Sequence, residues 1–116
     1  MSKTRFIIVL IVSFVFVRVA EAHAFLDHAD PKVGSTLHDP PSEVTVWMTE
    51  NLEAAFSRLQ VFDAKGVEVD KRDTRVSGAT MVVSLQKLSA GTYHVSWQAI
   101  ATDTHKTSGT FDFTIQ

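Results

Sequence analysis

Five stretches of this chain alternate apolar and polar residues with a period of two, and none keeps the 3.6-residue period of an amphipathic helix. In residues 43–49, Val44, Val46 and Met48 share one parity. Leu59 and Val61 do so in residues 57–63, and Met81, Val83 and Leu85 in residues 80–85. Tyr93, Val95, Trp97 and Ala99 align in residues 92–100, and Phe111, Phe113 and Ile115 in residues 109–115. Successive side chains of an extended chain point to opposite faces, so each stretch predicts a strand with one buried face. Trp47 has the parity opposite to Val46 and Met48, so one face of that strand is less buried than its composition suggests.

Turn chemistry separates the stretches. Pro40-Pro41, Ser77-Gly78 and Ala90-Gly91 interrupt the chain, and Asp63-Ala64-Lys65-Gly66 places Asp first and Gly fourth, as a type I turn prefers. Leu26 and its neighbours predict a first strand before Asp30-Pro31. Residues 67–70 predict a short edge strand carrying charge, and residues 51–56 (NLEAAF) allow one helical turn. About seven short strands joined by such turns predict an all-β fold, an antiparallel β-sandwich of immunoglobulin-like size.

The first 22 residues fall outside this pattern. Lys3 and Arg5 precede an almost wholly apolar run at residues 6–17, and Ala20-Glu21-Ala22 offers small residues where a signal peptidase cuts. The run is short of the roughly 20 apolar residues of a spanning helix, and Arg18 closes it. The expected organisation is a signal peptide at 1–22 and one domain at 23–116, exported to the periplasm and soluble once mature. The whole chain carries a formal charge of −2, and the leader holds three basic residues (Lys3, Arg5, Arg18) against one acidic (Glu21). The mature chain is therefore mildly acidic, without a basic cluster, which argues against nucleic acid as partner and suits a cation. It has no cysteine, which excludes disulfides, thiolate zinc sites, cysteine-ligated copper and cysteine nucleophiles.

Cleavage after Ala22 would leave His23 with a free α-amine. That amine and the ring Nδ1 can chelate one ion, and nitrogen donors in a planar arrangement suit Cu(II). Alternatively, cleavage merely leaves a histidine first. Asp103 and His105 stand two apart, so in extended chain a carboxylate and an imidazole point to one side. They are equally compatible with a solvated loop. Glu50 continues the parity of Val44, Val46 and Met48 and needs a donor, a cation or a metal if buried. At a wet strand end it needs none. His28, His38 and His94 read as surface histidines, with His28 a candidate for a weaker second ion. Met48 and Met81 read as core. There is no phosphate-binding glycine loop, HExxH or GxSxG, and no spacing singles out a catalytic triad.

Taken in order, HAFLDHADPKVGSTL, PPSEVTVWMTENLEAAFSRLQVFDAKG and LSAGTYHVSWQAIATDTHKTSGTFDFTI resemble the CopC/PcoC family of periplasmic copper-resistance proteins. The resemblance covers nearly the whole of residues 23–116. It implies a Greek-key β-sandwich or barrel and a Cu(II) site in which His23, through amine and ring, acts with Asp103 and His105. Glu50 corresponds to the family's glutamate, at the edge of the site as a distant ligand or supporting group, although Thr49 precedes it here. Some relatives also hold Cu(I) in a methionine-rich loop. Residues 71–81 (KRDTRVSGATM) contain no methionine cluster, so one Cu(II) ion per chain and no Cu(I) site is the expectation. The implied role is a copper carrier or buffer and not an enzyme. Its partner would be a separate inner-membrane copper transporter or another periplasmic copper protein. Two other classes share features with it: an oxidase or monooxygenase-like enzyme using an N-terminal histidine, and a metal-free immunoglobulin-like structural domain.

Overall fold

The computed structural model describes residues 24–116. They form β1 (Leu26–Asp30), β2 (Thr36–Leu37), β3 (Glu43–Met48), a 3₁₀ turn (Ala54–Phe56), β4 (Arg58–Phe62), β5 (Arg75–Ser77), β6 (Thr80–Ser84), β7 (Gly91–Ile100) and β8 (Lys106–Ile115). One sheet runs β1-β3-β6-β5 and the other β2-β8-β7-β4. Every pairing is antiparallel except β2 with β8. Strands consecutive in sequence change sheets repeatedly, and the result is a Greek-key β-sandwich. Among the described residues no helix is long and apolar enough to cross a membrane.

The alternation works as its period requires. Val44, Val46 and Met48, Leu59 and Val61, Met81, Val83 and Leu85, Tyr93 to Ala99 at odd positions, and Phe111, Phe113 and Ile115 are all buried and join one cluster between the sheets. The Tyr93 hydroxyl, near the start of β7, donates to the Ser89 carbonyl at 2.7 Å, so its polar end is satisfied beside the core. At the expected Asp63 turn, Gly66 N–H donates to the Asp63 carbonyl at 3.0 Å, and Asp63 Oδ1 accepts from Lys65 and Val67 N–H, both at 2.9 Å. Gly66 sits there at φ +81°, a conformation that favours glycine.

Eight strands stand where about seven were expected, and the difference lies at the edges. Residues 67–70 are not a strand. Glu68 forms an isolated bridge with Phe62, Asp70 forms another with Leu85, and the segment thereby passes between the two sheets. Its charge turns inward: Asp70 is buried, and its carboxylate accepts from Val61 N–H at 2.8 Å and Arg72 N–H at 3.1 Å. The carboxylate thus occupies an open hydrogen-bonding position on the β4 edge, which an ordinary strand would have filled with backbone. β2 and β5, with two and three residues, are too short to show a period.

β8 begins at Lys106, three residues before the alternating stretch expected at 109–115, and Gly109 occupies an inward position opposite Trp97. A Cβ on Gly109 would lie 2.5 Å from Trp97 Cζ2 and 2.8 Å from its Nε1. The missing side chain makes room for the indole. Gly109→Ala is expected to destabilise the fold by about 1–3 kcal/mol, as overpacking does, read as a lower urea midpoint with unchanged slope.

Candidate metal centre

Four segments meet at one end of the sandwich. Leu52 bridges to Ala101, Glu53 N–H donates to the Ile100 carbonyl at 2.8 Å, and Thr102 N–H donates to the Asn51 carbonyl at 3.1 Å. These bonds bind the connection after β3 to the β7–β8 turn. Leu52 N–H also donates to the Gly78 carbonyl of the β5–β6 hairpin at 2.9 Å. The fourth segment is the first described stretch of chain. The Thr107 hydroxyl on β8 donates to the Ala24 carbonyl, and Phe25 N–H donates to Thr49 Oγ1 at 2.9 Å.

The β7–β8 turn carries Asp103 and His105. Thr104 N–H donates to the Ala101 carbonyl at 2.8 Å, and Ala101 N–H donates to the His105 carbonyl at 3.1 Å. Asp103 Oδ1 accepts from His105 N–H at 3.1 Å, and Asp103 Oδ2 lies 3.1 Å from His105 Nδ1. The carboxylate and imidazole therefore meet, but not through the pleat of an extended chain. Thr104, between them, has φ +77°, and this left-handed step folds the two side chains together. Such a conformation in a β-branched residue costs on the order of 1–3 kcal/mol and is held here by the bonds on either side. Half of the His105 side chain and 39% of that of Asp103 remain accessible, so the pair is open to an ion from solvent.

Glu50 follows Thr49 on the neighbouring segment, is half-buried, and forms no hydrogen bond or ion pair with a described residue. Among the described residues no three His, Asp or Glu side chains are gathered closely enough to hold an ion. Asp103 and His105 are a pair that needs further donors. His23 and the 1–22 segment lie outside the described residues.

The CopC domain family model matches residues 26–116. The chain belongs to the CopC family. Copper resistance protein C of Pseudomonas syringae pv. tomato is 30% identical over 125 residues, spanning all of this chain and 98% of that protein. The crystal structure of PcoC, a methionine-rich copper resistance protein from Escherichia coli, superposes with a TM-score of 0.71 at 29% identity, covering 82% of this chain and 100% of that one. The crystal structure of CopC from Methylosinus trichosporium OB3b gives a TM-score of 0.76 at 23% identity, covering 81% and 94%, and bears on the fold alone.

Against the methionine-rich PcoC, this family member differs. Met48 and Met81, its methionines among the described residues, are both buried in the core. The other histidines have their own surroundings. His28 stacks on Trp47 with ring centroids 4.3 Å apart and planes 7° from parallel, and its Nδ1 is 2.6 Å from Asp27 Oδ2. That stack covers the outward-facing indole. His94 Nδ1 is 2.6 Å from Asp112 Oδ1 across the β7–β8 pair, and His38 is exposed. The residues that sequence reasoning missed are Thr49 and Thr107. Thr107 left a signal: it has the inward parity of Phe111 and Phe113, where a hydroxyl needs a partner.

Proposed function

We propose that this protein binds one Cu(II) ion per mature chain in the periplasm and sequesters or carries it, without catalysing a reaction. The mature chain begins at His23, whose amine and ring join Asp103 and His105 as donors, with Glu50 at the edge of the site. The observation that carries this reading is the bond from Thr107 to the Ala24 carbonyl. It fastens the residue after His23 to β8, two positions beyond His105. The donor chemistry agrees: imidazole, amine and carboxylate suit Cu(II) better than the softer Cu(I). The relatives named as copper resistance proteins point the same way.

Within this reading Asp103 has two tasks. It steadies the His105 ring through Nδ1, as carboxylates do for metal-binding histidines, and it offers charge to the cation. The donors must shed protons to bind, so affinity falls as the pH drops. A nearly complete donor set leaves little space for a substrate or for oxygen, which favours storage or delivery to another copper protein. The test is native mass spectrometry of the exported protein after copper loading. The expected species starts at His23 and carries one copper. A mature chain starting elsewhere, or one that retains no copper, overturns the reading.

A further inference from the structure

Two threonine side chains, one from each side of the sandwich, fasten the first described residues. Thr107 on β8 donates its hydroxyl to the Ala24 carbonyl. Thr49, directly after β3, accepts Phe25 N–H on Oγ1 at 2.9 Å and donates its own N–H to the Phe25 carbonyl at 2.8 Å. Ala24 is wholly buried, with its neighbour in the chain exposed. A chain terminus ordinarily frays unless something ties it down. Here the tie comes immediately before β1, and it joins the two sheets.

We propose that Thr107 and Thr49 are positioning residues for copper: a latch that holds the Ala24–Phe25 segment docked before the metal arrives. The proposal rests on the copper site described above. Consecutive Cα atoms are about 3.8 Å apart across a trans peptide, so a fixed Ala24 confines the preceding residue to a small region. That region lies against the strand that leaves the Asp103–His105 turn. A ligand's apparent affinity scales with the fraction of protein already in the competent arrangement. Without the latch, copper would have to recruit the segment from an undocked ensemble. The geometry also separates the two threonines: Thr107 holds the carbonyl of Ala24, and the Thr49 hydroxyl holds the amide of Phe25.

Thr107→Val removes the donor and keeps the branched shape, whereas Thr107→Ser keeps the donor. Amide hydrogen exchange in the copper-free protein reads the latch directly at the Phe25 and Thr49 amides. In Thr107→Val those two amides are expected to exchange about tenfold faster while the paired amides of β7 and β8 keep their protection. Cu(II) affinity, measured against a competing chelator, is expected to fall about tenfold, and the electron paramagnetic resonance spectrum to show a second coordination species. Thr107→Ser restores exchange, affinity and spectrum. Thr49→Val accelerates exchange at Phe25 and lowers affinity in the same direction. Unchanged exchange and affinity in Thr107→Val, beside a His105→Ala control that has lost copper, overturn the latch. A His105→Ala control that binds as the wild type does overturns the copper reading instead, and the exchange data still report whether the segment is fastened.

Discussion

Replacing His105 with alanine is expected to weaken Cu(II) binding by at least about a hundredfold, because even the supporting partners of metal ligands cost 10–100-fold when removed. The fold should hardly respond. His105 is half exposed, its backbone bonds to Ala101 and Asp103 use main-chain atoms, and its ring packs into no core. Surface substitutions of this kind usually change stability by less than about 0.5 kcal/mol. The variant therefore separates binding from folding. In the wild type, a stoichiometric excess of Cu(II) raises the melting temperature, since a ligand of the native state stabilises it by mass action. In His105→Ala that rise shrinks or disappears while the copper-free melting temperature stays. An unchanged affinity by competitive titration would mean that the β7–β8 turn is not where copper sits.

How far the sequence foretold this arrangement follows from what side chains can report. The long strands were legible because each has one face in the core, and Val44-x-Val46-x-Met48 or Phe111-x-Phe113-x-Ile115 can bury that face only as extended chain. β2 and β5 were not, since a strand of two or three residues is defined by the neighbour that accepts its bonds. Residues 67–70 alternate well enough to imitate a strand, and Val69 N–H does bond to the Val61 carbonyl, but the Asp70 carboxylate takes the Val61 N–H and the ladder goes no further. At the candidate site the spacing of Asp103 and His105 predicted side chains on one side. They do meet, through the left-handed Thr104, which no alternation rule anticipates. Thr107 was legible only as an anomaly, a hydroxyl in an inward register, and its partner lies 83 residues away in the chain. Such a contact needs the topology before it can be seen.

A mature protein whose His23 α-amine is acetylated is expected to lose Cu(II) affinity by about two orders of magnitude or more, comparable to losing a ligand outright. The acetyl group leaves every described residue as it is, and unlike an added residue it brings no new amine. It turns the α-amine of His23 into an amide, which carries no basic lone pair for the metal and gives up its proton far less readily than an ammonium. The chelate of amine and ring then dissolves, and the imidazole of His23 is left as a single donor. Because Ala24 stays bound to Thr107, the acetylated chain should keep its exchange protection at Phe25 and Thr49, so the loss cannot be assigned to a detached segment. The measurement is a chelator competition run on both forms, with electron paramagnetic resonance to count nitrogen donors. The acetylated form should show one nitrogen fewer. Equal affinity and equal nitrogen count would remove the N-terminal amine from the site and leave Asp103 and His105 to bind copper with donors other than the one proposed.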